Sequence, residues 1–467
     1  MLKKGTLVGV ILIVLMLVVS PLFAGGRGDS GSSSAARSHL HGKQLNIGSW
    51  WGAYDLDARE GQPGHVSPRN EGEEKQLDYR RKLLADKGFK AKGIELSGWD
   101  DYFQIVTNNI MSRNKDIHVY WLSAEWAMTL YKQGLLYPLS DSKIKLTNRV
   151  PLEMQKPAYN EMMEKLFTFG GKQYAAGLGV GGDSWQGNFL FWNKRLLREA
   201  GLNPDLPYDL QRDGNWNWDT FLDIARRTTR DINNDGITDI YALPCDDARE
   251  VMNAFVYGNN ANFVTIDAQG RFHNGTNRPE FIEAAQFYLR LMEEGLMKPL
   301  PENSAWDWDF TEFFDGKVAM LIAPEWRKGQ MGEMADDYGC VVPPKGPRMQ
   351  NQANYRMSLT ENVFVVPNIF TAAEVDDILE MLDLWEVPAD TDWKQGHYWA
   401  FRDRRAVDET VALTKESRNV TYRNFALIPG FPHGEFCHEF RYFTGNPSQI
   451  IEQYAPRINA LLADMNR

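Results

Sequence analysis

The sequence predicts an α/β fold with a largely parallel sheet and more than one domain. Three observations lead there. Short apolar runs alternate with helix-patterned stretches through most of the chain, the order that βαβ units produce. The 467 residues leave room for two or more domains. The stretch from Phe313 to Trp326 places a short apolar strand directly before a loop carrying Glu325 and Trp326, and such loops are where open α/β sheets hold ligands.

The elements follow in order. Lys3 and Lys4 precede an apolar run over residues 7–19, then Ser20-Pro21-Leu22-Phe23-Ala24. This is the pattern of a secretory signal over residues 1–24. Residues 5–24 are also long enough to span a bilayer, so an uncleaved anchor is the alternative. Residues 25–43 are rich in Gly, Ser and Arg and read as a flexible linker. Strands are expected over 44–49, 89–96, 117–122, 189–193, 318–322 and 362–367. Helices are expected over 71–87, 102–111, 124–133, 194–200, 215–225, 280–294, 372–385 and 448–465. Gly316 supplies the turn into the strand at 318–322. Pro324 ends it, because proline cannot donate to a ladder. No internal repeat is visible.

Composition narrows the function. At 43% hydrophobic and 24% charged, the chain is an ordinary globular protein. A net charge of −11 argues against nucleic acid or an anionic membrane as partner. Fifteen Trp, 18 Tyr and 24 Phe are a heavy aromatic load. Aromatics beyond core needs suit carbohydrate, since a flat ring covers the C–H face of a pyranose. Cys245, Cys340 and Cys437 have no metal-ligand spacing and read as buried thiols. Gly179-Val180-Gly181-Gly182 is not a phosphate loop, having no Lys-Ser/Thr after it.

Two blocks carry a resemblance. Phe313-x-x-Gly316-x-x-Ala319-Met320, followed by Trp326, resembles a block of the extracellular solute-binding proteins of carbohydrate ABC transporters, the maltose-binding-protein type. So does a strand ending in Trp192-Asn193, then a short helix, Gly201, and a Trp218-Asp219-x-Phe221 helix. The resemblance covers most of residues 44–390. It implies a periplasmic-binding-protein-like fold of type II, with two lobes, crossing hinge segments and a ligand cleft between them. Lobe I would take 44–145, with 355–400 returning to it, and lobe II 146–354 with 401–467. The implied function is the binding component of an ABC importer for a carbohydrate of oligosaccharide size; the alternative is a binding protein for a non-sugar solute such as a peptide or polyol phosphate. The implied partners are that ligand and membrane permease subunits. The chain would be monomeric, exported, and either periplasmic or tethered to the outer face of the cytoplasmic membrane. It lacks the Cys near the signal that lipid-anchored relatives carry.

The resemblance also directs attention to particular residues. Trp51 follows the first strand, where the family places a ligand-contacting loop. Glu125 and Trp126 occupy the corresponding loop after the strand at 117–122; a Glu there also suits a helix N-terminus for dipole reasons alone. Asp183 and Trp185 sit near the implied hinge. Glu325 and Trp326 are expected to face the cleft from lobe II. Trp306 and Trp308, separated by Asp307, could add an aromatic platform or pin the following helix, and the pin is the favoured reading. Asp231, Asn233, Asp235 and Asp239, with Gly236 at position six, are spaced like a calcium loop. Ala242 stands where the bidentate Glu would be, and the alternative is an Asx-rich turn. No cofactor is required beyond such a structural calcium. Glycoside hydrolysis would need two facing carboxylates, which Glu125 and Glu325 could mimic, but the order of motifs resembles binding proteins and no enzyme is expected. Gly-x-Ser-x-Gly and zinc-ligand His spacings are missing from the sequence.

Overall fold

The computed structural model describes residues 38–50, 52, 54–68, 71–146, 166–177, 185–245, 248–385 and 393–467. Leu40–Arg467 cluster as one compact unit. In chain order the first half holds β1 (Gln44–Ser49), α1 (Glu71–Lys87), β2 (Lys90–Glu95), α2 (Trp99–Met111), β3 (Val119–Ser123) and α3 (Ala124–Lys132). β1 pairs in parallel with both β2 and β3. These strands fall in the range expected for lobe I, and the carboxyl ends of the three share one edge.

The second half holds β4 (Trp185–Asn193), α4 (Lys194–Glu199), α5 (Trp218–Thr228), α6 (Ala248–Gly258), α7 (Pro279–Glu293), α8 (Trp308–Phe314), β5 (Met320–Pro324) and β6 (Tyr338–Val341). Its motifs have local physical causes. Asn193 caps α4 by accepting from the amides of Arg195 and Leu196. Asn217 and Thr220 form a reciprocal capping box on α5, and Trp218 and Phe221 are buried beneath it. The aromatic–Asn and Trp-Asp-x-Phe signatures are thus a strand end and two helix caps. Gly316 has φ +69°, and a Cβ there would meet the Arg195 guanidinium at 2.5 Å; only glycine fits that turn.

β7 (Met357–Val365) joins the halves. Leu359, Thr360 and Glu361 pair with Gly187, Gln186 and Trp185 of β4. Asn362 to Val365 then pair with Ser123 to Tyr120 of β3. One strand therefore serves both lobes, and the sheet order β5-β4-β7-β3-β1-β2 runs continuously through them. Beyond β7 come α9 (Ala372–Trp385), α10 (Trp393–Ala400), β8 (Val420–Tyr422), α11 (His433–Glu439) and α12 (Ser448–Met465). α9 packs on β1 and α1 in lobe I; α10 touches both α1 and the lobe II turn Glu325–Glu333.

Two strand boundaries differ from expectation. β7 begins five residues before the predicted 362, because Ser358, Thr360 and Glu361 break the apolar run where the strand passes between lobes. β5 begins at Met320 rather than 318, since Val318 instead bridges Tyr241. Met320, Leu321 and Ile322 are fully buried, each contributing about 1.5–3 kcal/mol. All three cysteines are buried free thiols.

A buried polar network fastens the crossing strands on the lobe II side. Arg423, just after β8, donates from Nε to Ser358 Oγ on β7 (3.1 Å) and from Nη2 to Asn188 Oδ1 on β4 (2.8 Å). Its two Nη groups also hold both oxygens of Glu250 on α6, at 3.1 and 2.8 Å. Burial alone would raise the Glu250 pKa. The charge and bidentate bonds of Arg423, with Arg249 and His433, overcome it and bring the pKa down to about 2.

Candidate functional site

Strand direction locates the site. β3 ends at Ser123, opposite Asn362 of the crossing strand. β5 runs antiparallel to β4 and ends with Pro324 opposite Asn188, one residue from the Gly187–Leu359 pair. The loops after β3 and β5 therefore emerge on either side of β7, from lobe I and lobe II.

On lobe I, Ser123 caps α3 by accepting from Trp126 N at 3.4 Å, which sets Glu125 in the first turn. Glu125 Oε1 accepts from Gly430 N at 3.0 Å. Gly430 lies in a loop anchored to lobe II by Asn424 on Val264 O and His433 on Asn253. The contact thus spans the lobes, with Gly430 at φ +75°. Glu125 reaches solvent yet is crowded by protein, as on a cleft wall. That burial pushes its pKa up, and the Gly430 amide offsets part of the rise. A raised carboxyl pKa means stability is lost as pH climbs from the unfolded value toward the folded one. Glu125→Gln is therefore expected to be at least as stable as wild type at pH 7, with the difference vanishing below about pH 4. Thermal melts across pH check this, and a variant markedly weaker at pH 7 would contradict it.

Around Glu125 stands an aromatic cluster. Trp50 stacks on Trp121 at 5.0 Å and meets Trp99 edge-on at 5.1 Å. Trp126 lies 4.3 Å from Trp99 and 5.6 Å from Phe103. Trp126 is thereby packed among neighbours, and Trp99 is the ring that opens to solvent, at 50% exposure. The sequence reading did not single out Trp50, Trp99 or Trp121. The signal was available: Trp50 and Trp99 follow the carboxyl ends of parallel strands β1 and β2, as Glu125 follows β3.

On lobe II, Trp326 is 40% exposed and stands 6.5 Å from Trp306, which is 73% exposed. Trp306 is not a buried pin for the next helix. Glu325 also departs from expectation. It does not face the cleft: it is 2% exposed and binds Lys328 Nζ at 2.6 Å, with His397 Nδ1 of α10 at 3.5 Å. The tight turn Glu325–Glu333 puts residues three apart on one side, so a desolvated carboxylate finds its cation locally. Trp185 opens β4 opposite Glu361. Trp51 and Asp183 lie outside the described residues.

Residues 81–367 match the profile of the bacterial extracellular solute-binding proteins. The chain belongs to that family. This solute-binding protein is also similar to a Brucella abortus protein named only as a binding protein, at 24% identity over 62% of this chain and 63% of the relative's length. In fold it is similar to the GacH receptor of Streptomyces glaucescens, seen unliganded and with acarbose (TM-score 0.60, 14% identity, 90% of this chain and 99% of the other). It is likewise similar to a Listeria monocytogenes ABC substrate-binding protein in complex with cycloalternan (0.58, 15%, 90% and 98%). UgpB of Mycobacterium tuberculosis, in complex with glycerophosphocholine, is similar too (0.58, 15%, 83% and 95%). The fold is the two-lobe type II periplasmic-binding-protein fold, and the family's extracellular character implies export. Among the described residues no helix is long and apolar enough to cross a membrane; the signal or anchor predicted at 1–24 lies outside them.

Two other features of the solute-binding protein fall away from this site. An open depression of about 680 Å³ is lined by Thr265 to Asp267, His273, Asn274, Asn277 and Arg278, none of them from β3, β5 or the crossing strands. The loop over 231–239 uses its oxygens internally. Asp231 accepts from Asn234 N and Gly236 N, Asn233 from Asp235 N, Asp235 from Ile237 N, and Asp239 from Ile232 N. The donors are hard oxygens of the right kind for calcium. They do not fit a shell: Ala242 is buried at the twelfth position, and among the described residues no three acidic, His or Cys side chains converge.

Proposed function

We propose that this solute-binding protein is the substrate-binding component of an ABC importer, that it binds a carbohydrate of oligosaccharide size between its lobes, and that it delivers it to membrane permease subunits. The observation that supports this reading is two groups of rings. Trp50, Trp99 and Trp121 cluster near Glu125 at the carboxyl ends of β1–β3, and Trp306 and Trp326 pair before α8 and after β5. Exposed indoles suit the apolar faces of sugars, and Glu125 supplies an acceptor for hydroxyls. Closure would follow from a ligand touching both lobes.

Solved relatives in complex with acarbose, tagatose and cycloalternan support a sugar. The glycerophosphocholine complex marks the rival, a phosphate-bearing solute. An anionic group would need accessible cations. The two in the lobe II loop, Arg327 and Lys328, are buried and engaged with Gln330 and Glu325, which favours a neutral ligand. Hydrolysis is disfavoured because Glu325, the second carboxylate it would need, is held in a buried ion pair. The mature chain would act as a monomer in the periplasm or tethered at the membrane face.

A thermal-shift screen tests this. A true ligand at one hundred times its Kd adds about 2.7 kcal/mol of stability. A rise with malto-oligosaccharides or other neutral sugars is expected. A rise only with phosphodiesters or peptides would sink the carbohydrate reading.

A further inference from the structure

We infer that Trp306 and Trp326 together form a two-indole stacking platform on lobe II, and that Arg327 beneath them is the positioning residue that sets it. This rests on the carbohydrate reading above and adds residues to it. Trp306 lies before α8 and Trp326 after β5, so neither strand nor helix holds them together. Arg327 does. Its guanidinium carbon is 4.8 Å from the Trp306 ring centre, 4.4 Å from Trp326 and 5.1 Å from Phe310. With the two indoles 6.5 Å apart and 29° from parallel, these distances put the guanidinium to one side of both rings, not sandwiched between them.

The burial contrast fixes which side is free. Arg327 is 5% exposed, while Trp306 and Trp326 are 73% and 40% exposed. The cation therefore sits under the rings, and their outer faces meet solvent. Arg327 is itself held, donating from Nη1 to Gln330 Oε1 at 2.8 Å, with Asp309 3.8 Å from Nη2. A planar guanidinium stacks on several rings at once, which a lysine ammonium cannot reproduce. Two exposed indoles without such an anchor would sample many rotamers and lose stacking affinity to entropy.

The test combines affinity with a ring-position readout. Arg327→Met, Arg327→Lys, Trp306→Ala and wild type are titrated with maltotriose, cellotriose and raffinose, and their tryptophan emission is quenched with acrylamide. Expected results are roughly tenfold weaker sugar binding for Trp306→Ala and Arg327→Met, raised quenching in both Arg327 variants, and incomplete rescue by lysine. Unchanged quenching in both Arg327 variants overturns the positioning role, whatever the sugars do. Raised quenching with unchanged affinity, or unchanged affinity in Trp306→Ala, overturns the platform. If wild type binds none of the three sugars, the carbohydrate reading and the platform fall together, and quenching still decides the role of Arg327.

Discussion

Arg423→Met is expected to cost about 3–5 kcal/mol of folding stability. The substitution keeps the bulk of the side chain but strips Glu250, Asn188 and Ser358 of one shared donor. Glu250 would then be a buried carboxylate without its principal cation, and it would either ionise at great cost or take up a proton. The pH dependence carries a sign. The folded pKa of Glu250, about 2, lies below its ordinary value of 4.5. The wild-type ion pair thus stabilises fully above about pH 4.5, and that contribution is lost as pH falls toward 2. Arg423→Met should lack this acid-labile part. Urea denaturation at pH 7 and pH 3 measures both. A loss under about 1 kcal/mol at pH 7 would mean the network does not hold the hinge strands.

Trp326→Ala is expected to weaken carbohydrate binding by about 10- to 100-fold, or roughly 1.4–2.8 kcal/mol. It should cost less than about 1 kcal/mol of stability, because the ring is substantially exposed. The two effects separate a ligand-facing ring from a core ring. Calorimetric titration and thermal melting of the same variant decide between them. A large drop in stability with unchanged affinity would make Trp326 a packing residue that happens to reach solvent.

The elements with strong local signals were readable in the sequence. α1, α9 and α12 occupy the predicted ranges: α9 and α12 because their apolar periodicity is written in neighbouring residues, α1 because of its charged, helix-favouring composition. The Trp192-Asn193 and Trp218-Asp219-x-Phe221 signatures were readable for the same reason, each being a cap beside a buried ring. What depended on distant partners was not. Glu325 looked like a cleft acid. Its cation, Lys328, is local, but its surroundings include His397, brought to 3.5 Å by α10, which follows β7. Trp306 looked like a helix pin, but its partner is Arg327, reached only after α8 and β5 have folded back. β7 was half-read because a strand that changes lobes carries polar residues at its middle. The lobe I ring Trp99 was missed although strand direction alone points to it.

The proposed ligand of the rings beyond β3 and β5 is a neutral oligosaccharide. The most direct measurement is calorimetric titration of the full chain with glucose, maltose and maltotriose, beside glycerophosphocholine. Single-site binding of sugar that strengthens with chain length, as more rings engage, is expected, with no heat from the phosphodiester. Tight binding of glycerophosphocholine, with no sugar binding at millimolar concentration, would contradict it.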